Sequence, residues 1–166
     1  VELVNRLNIA HRQDIGRPVE LLVAGRVSPD LKSLWSARSD FSLVWAGLVP
    51  AASIPELDRA AHLLYSADLQ AACPNAVIEA MACGLPVLAF DTGSLPELVR
   101  GQAGRVVPYG GDPWKLDRPD IPALAQAAVD IFTHQEPYRL AARARAEAAF
   151  GLEPMLDSYM AALLPG

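Results

Sequence analysis

The stretch from Cys73 to Asp91 constrains the fold more than any other part of the chain. It reads as a helix opened by a Pro-Asn turn, closed by a glycine and delivered directly into a strand. Pro74 suits a first helical turn because no amide partner is needed there. Gly84 can adopt the left-handed conformation that ends a helix, and Pro86 prevents continuation. Val87-Leu88-Ala89-Phe90 is an uninterrupted apolar run, the pattern of a strand covered on both faces. Within the helix one carboxylate, Glu79, stands among apolar residues, and a charge so placed requires a partner or a ligand.

The same grammar extends outward. The apolar spacing of Val1, Leu3, Val4, Leu7 and Ile9 predicts one helix over residues 1–15, ended by Gly16 and Pro18. Buried-type strands are predicted at Val19–Ala24 and Phe41–Ala46. Between them Ser28-Pro29-Asp30 opens a helix to about Ala37. Ser53 and Glu56 have capping-box spacing, predicting a helix to about Tyr65. A strand at Ala67–Ala71, the Pro74–Cys83 helix, the Pro86–Phe90 strand, a short helix at Leu95–Val99 and a strand near Arg105–Val107 complete the alternation. Beyond Gly110-Gly111-Asp112-Pro113, residues 122–132, 136–149 and 153–164 are alanine-rich and helical by propensity. The expected fold is α/β, a doubly wound parallel sheet with residues 122–164 as a helical C-terminal appendage.

Composition narrows the function. The 166 residues suit one domain, with 52% hydrophobic and 20% charged residues. A net charge of -5 argues against nucleic acid as a partner. No apolar run reaches the roughly 20 residues of an integral membrane segment, and Val1-Glu2-Leu3 carries no secretory pattern. Cys73 and Cys83 lack ligand-spaced partners, which predicts no metal and a cytoplasmic thiol pair. His11, His62 and His134 converge on no motif. Neither a Ser-His-Asp order, a P-loop nor a dinucleotide fingerprint is present.

Four loops face the carboxyl ends of predicted strands, where ligands bind in such sheets. They carry Arg26, Val49, the turn Pro74-Asn75-Ala76-Val77, and Thr92. Free amides at a helix start bind phosphate, and a carboxylate such as Glu79 makes charge-assisted hydrogen bonds to a diol.

Glu79-Ala80-Met81-Ala82-Cys83-Gly84 with Pro86-Val87, then Gly93 and Pro96-Glu97, resembles the nucleotide-sugar-binding region of glycosyltransferase family 4, the retaining glycosyltransferases of GT-B fold. The resemblance is specific over residues 74–97. It implies a donor-binding, Rossmann-like C-terminal half of a GT-B enzyme, a hexosyltransferase-like enzyme of polysaccharide biosynthesis. Residues 1–166 would lack the first strand, its basic pair and the N-terminal acceptor domain, and would be inactive alone. The implied partners are a nucleotide-diphosphate sugar and, through the other domain, a glycan or lipid acceptor. No cofactor and no metal are implied, and the full-length protein would be cytoplasmic, at most peripheral to the inner face of the membrane. Glu79 would hold the ribose; Pro74, Asn75, Ala76 and Val77 the diphosphate and sugar; and Val49 the base. Arg26, toward a phosphate, and Thr92, near the cleft, are candidates by their strand-end positions alone, since the family's phosphate arginine belongs to the first strand. Ala71 stands where the family has its first glutamate, so no catalytic residue is assigned. A non-catalytic GT-B-like binding domain and a GT-B-type nucleotide-sugar epimerase are the alternatives.

Overall fold

The computed structural model describes residues 1–164. The order is α1 (Glu2–Ala10), α2 (Arg12–Ile15), β1 (Leu21–Ala24), α3 (Pro29–Ala37), β2 (Leu43–Gly47), a 3-10 turn (Ala51–Ser53), α4 (Ile54–Ala60) and β3 (Leu64–Ser66). Then follow α5 (Asn75–Ala82), β4 (Val87–Phe90), α6 (Leu95–Leu98), β5 (Gly104–Val107), α7 (Ile121–Thr133), α8 (Gln135–Ala149) and α9 (Leu152–Leu163).

All strand pairs are parallel, as helical crossovers between successive strands require. The apolar run Val87–Phe90 is buried at all four positions. Its alternate side chains feed two cores. Leu88 and Phe90 pack with Val107, α1 and α7, while Val87 and Ala89 pack with Val77 and Met81 of α5 and with α8. The sheet β3-β4-β5 therefore has helices on both faces, the doubly wound arrangement. In register, Leu64 lies opposite Val87 and Phe90 opposite Val107.

Several boundaries differ from the sequence reading. Residues 1–15 form two helices, broken at His11, whose φ is -121°. The helix after Ser53 stops at Ala60, and no capping box forms. Ser53 already ends the 3-10 turn with helical backbone, whereas a capping side chain needs extended backbone. The third strand lies at Leu64–Ser66 rather than 67–71. In that segment Asp68 Oδ1 accepts the Gln70 amide at 3.0 Å, a turn that bends the chain.

The expected single sheet is two hydrogen-bonded sheets, β1-β2 and β3-β4-β5. The apolar runs of β1 and β2 are not covered on both faces: half-buried and exposed residues alternate, and no residue from Asn8 to Gln70 is buried. Leu22 and Val44 face solvent. Over the other face, between α1 and α3, Leu21, Val23, Trp35, Leu43 and Trp45 line an open groove of about 630 Å³.

The helices after residue 120 are not one appendage. α7 is core, with Leu124, Ala125, Ala128 and Ile131 fully enclosed. α8 packs along α5 and carries three arginines that cap other helices at their carboxyl ends. Arg139 donates to the carbonyls of Arg59 and Ala61 at the end of α4, Arg143 to that of Ala82 in α5, and Arg145 to those of Glu97 and Leu98 in α6. Each satisfies carbonyls the helix cannot and places a cation at the negative end of its dipole, worth about 1 kcal/mol. Of these three helices, α9 stands uncovered over its described residues, with Leu152, Met155, Leu156, Tyr159, Met160 and Leu163 exposed at helical spacing. Among the described residues, no helix is long and apolar enough to cross a membrane.

Candidate functional site

With its carboxyl end tied down by Arg143, α5 presents its amino end at the carboxyl edge of the sheet. Pro74 enters with extended backbone, and its carbonyl accepts the Val77 amide at 3.0 Å, closing the first turn. The amides of Asn75 and Ala76 have no backbone partner among the described residues. Val77, Ala80 and Met81 are buried, whereas Asn75, Ala76 and Glu79 are not. Glu79 lies four positions after Asn75 and three after Ala76, so the three share a helix face. Helical side chains lean toward the amino end, which carries the Glu79 carboxylate back toward those amides. Glu79 enters no ion pair among the described residues.

A residue the sequence did not single out stands beside it. α4 packs on α5, and half-buried Asp58 has its carboxyl pushed above 3.8, first by burial and then by the negative charge of Glu79, with Arg59 opposing. In the sequence Asp58 is one charge among several on a short helix, and nothing local announces its neighbour. Two like charges so placed are relieved by hydroxyl donors or by a cation.

A pH dependence follows. Asp58 holds its proton more tightly folded than unfolded, so its stabilising contribution is complete below 3.8 and is lost as pH rises through the raised value. Asp58→Asn should therefore raise the melting temperature at neutral pH, and the gain should shrink as pH falls past 3.8. Melting curves at neutral and acid pH check this; a lower melting temperature at neutral pH would contradict it.

The remaining predicted residues fall into two groups. Arg26 and Val49 lie just past β1 and β2, whose ends are joined by the Gly25 amide donating to the Gly47 carbonyl at 2.7 Å. Gly25 and Gly47 both have positive φ, which turns the chain away at the strand ends. Arg26 is exposed and Val49 half-buried. Pro74, Asn75, Ala76, Val77, Glu79 and Thr92 gather past β3 and β4. The chain from Val49 runs through the 3-10 turn into α4, and α4 brings Asp58 to Glu79, linking the groups.

Ala71 and Thr92 lie deeper than their loops suggested. Ala71 is 4% exposed and packs with Val77 and Met81. Its carbonyl accepts the Ser94 amide at 2.8 Å, and a Cβ on Gly93 would lie 2.5 Å from that oxygen. A glutamate at 71 would thus enter the core rather than a cleft. Thr92 is 5% exposed and its hydroxyl is sealed without a partner, so ligand contact there requires the 91–94 loop to open. Glu97 forms no ion pair among the described residues, and its carbonyl takes Arg145. Among the described residues, no three His, Cys, Asp or Glu side chains group as a metal site. A smaller polar cavity lined by Arg105, Asp130, His134 and Tyr138 lies beyond the amino end of β5, away from the α5 amino end.

Comparison with known proteins agrees with this architecture. The family model for glycosyl transferases group 1 matches residues 3–134. No curated protein matches the chain. Among solved structures, sucrose-phosphate synthase from Thermosynechococcus elongatus is 20% identical with a TM-score of 0.71, over 100% of this chain and 44% of that one. A mutant of TarM from S. aureus, solved with Fondaparinux, alpha-GlcNAc-glycerol and UDP, is 15% identical with a TM-score of 0.69, over 96% and 31%. Anabaena Alr3699/HepE, solved with UDP and glucose, is 20% identical with a TM-score of 0.64, over 97% and 43%. The chain thus spans less than half the length of each. Its fold is that of a Rossmann-like domain of GT-B glycosyltransferases, and the chain belongs to the glycosyl transferases group 1 family.

Proposed function

We propose that this chain is the donor-binding unit of a retaining glycosyltransferase that transfers a sugar from a nucleotide-diphosphate sugar. The observation that carries the reading is the open face of α5, where the amides of Asn75 and Ala76 and the carboxylate of Glu79, without partners among the described residues, lie together. The amides and the positive end of the helix dipole suit a diphosphate. The carboxylates of Glu79 and Asp58 suit the hydroxyls of the adjoining ribose. Arg26 and Val49 form the second wall, toward phosphate and base. In transfer, the bond between the anomeric carbon and the diphosphate breaks, the acceptor hydroxyl oxygen bonds to that carbon, and its proton passes to the departing diphosphate. The α5 amides would stabilise the charge gathering on the departing diphosphate.

The reading also assigns the chain to a longer polypeptide. That assignment is supported by the share of related structures it spans, by the absence of buried residues from Asn8 to Gln70, and by the bare stripe of α9. An acceptor-binding domain would face the α5 cleft, and the acceptor would be a glycan or lipid. One observation favours a second reading, binding without transfer: with Ala71 in the core, no carboxylate occupies the family's first glutamate position.

Calorimetric titration with a panel of nucleotide-diphosphate sugars tests the reading. The expected result is weak binding of at least one nucleotide sugar, because in this reading closure of the cleft against water needs the facing domain of the longer polypeptide. Absence of binding across the panel would overturn it. Sugar release or transfer by the longer polypeptide separates the two readings.

A further inference from the structure

The loop from Gly110 to Asp120 is used neither by the cores nor by the donor site. It leaves β5 at the carboxyl edge of the sheet, and the Tyr109 amide donates to Asp91 Oδ1 at 2.9 Å, so it starts beside the end of β4. Leu116 has φ 56°, a left-handed conformation that costs a non-glycine residue about 1–2 kcal/mol. The turn is held from several sides. The Asp112 carbonyl accepts the amides of Lys115 and Asp117, both at 3.2 Å. The Asp112 carboxylate accepts the Trp114 amide at 2.9 Å, and that of Asp117 accepts the Asp112 amide at 3.0 Å. Tyr109 Oη donates to the Asp117 carbonyl at 2.6 Å, and Arg118 pairs with Glu2 at 2.8 Å. What this braced turn holds up is not core: Trp114 is 77% exposed and Leu116 73%.

We propose that Trp114 and Leu116 form a platform for a saccharide ring of the acceptor at the rim of the donor site, an inference that rests on the donor-binding reading. The C–H face of a pyranose is apolar and stacks on an indole, while the hydroxyls at its edge need polar partners. The loop carries both, since the Lys115–Asp112 pair and Arg118, which pairs with Glu2, belong to the same turn as the two apolar side chains. Those charges disfavour a lipid tail, and a net charge of -5 disfavours an anionic bilayer. The backbone that carries the indole is already held by these bonds, so contact orders only its side chain.

The test follows the Trp114 indole N–H signal by NMR, assigned with Trp114→Phe, during titration with malto-, cello- and chito-oligosaccharides. The expected result is a saturable shift with at least one of them. Trp114→Ala should weaken that binding about three- to tenfold. Leu116→Gly should weaken it too, while its melting temperature does not fall, because the variant relieves the left-handed strain. Both variants should bind nucleotide sugars as the parent does. The proposal is overturned if no oligosaccharide moves the signal, if Trp114→Ala binds saccharide as well as the parent, or if only phosphatidylglycerol vesicles move it. Saccharide binding at Trp114 without any nucleotide-sugar binding would sink the donor reading and leave the platform standing.

Discussion

Gly104→Ala is expected to cost about 3 kcal/mol or more, with the tightest clash of any Gly→Ala change among the described residues. Gly104 opens β5 directly opposite Val87. A Cβ there would lie 2.0 Å from the Val87 carbonyl oxygen and 2.8 Å from its carbonyl carbon and amide nitrogen. These are backbone atoms of the strand buried on both faces, so no side chain can rotate away. Relief requires β4 and β5 to separate, which loosens both cores at once. For a domain of this size the loss corresponds to a fall of about 6–12 °C in melting temperature. Gly101→Ala is the control: φ there is +61°, but nothing lies within 4 Å of its Cβ, so only backbone strain of about 1 kcal/mol remains. Thermal melts of the two variants check the comparison. Equal, small losses would contradict the β4–β5 register.

Much of this architecture was legible because local rules and tertiary packing agree. Val87–Phe90 is apolar at every position because it has a core on each face, and the Pro74 and Gly84 boundaries of α5 follow from backbone preferences alone. Where local patterns mislead, a distant partner decides. Leu64–Ser66 looked like the end of a helix, but pairing with Val87–Ala89 makes it a strand. The Ala-rich segment 122–132 looked like part of an appendage because alanine reports helix propensity and not burial, yet α7 covers the sheet. The site divides the same way. Asn75, Ala76 and Glu79 are readable from helix spacing on one element. The approach of Asp58 to Glu79 joins residues far apart in sequence, and so do the arginine caps of α8, so no local pattern encodes either. Ala71 shows the converse limit: its place in a motif suggested a cleft, and the turn clamped by Gly93 and Ser94 directs it inward.

The largest functional effect is expected at Glu79. Glu79→Gln keeps shape and removes charge, and its position outside the core leaves folding intact. A hydrogen bond to an ionised group contributes about 1.5–3 kcal/mol, so donor affinity should fall about ten- to a hundredfold. Like-charge repulsion from Asp58 also disappears in the variant, and its melting temperature should therefore equal or exceed that of the parent. An unchanged affinity would remove Glu79 from the site even if nucleotide sugars bind.

The central claim is that the Glu79 carboxylate grips the ribose while the α5 amides hold the diphosphate. A thermodynamic cycle reads it most directly: calorimetric affinities of the parent and of Glu79→Gln, each for a nucleotide-diphosphate sugar and for its 2′,3′-dideoxyribose analogue. If the carboxylate binds the diol, removing either partner weakens binding, and removing the diol costs about tenfold less in Glu79→Gln than in the parent, because the amide oxygen still accepts but carries no charge. If the two losses multiply independently, or if the dideoxy analogue binds the parent as tightly as the natural nucleotide sugar, Glu79 does not hold the ribose and the account fails at its centre.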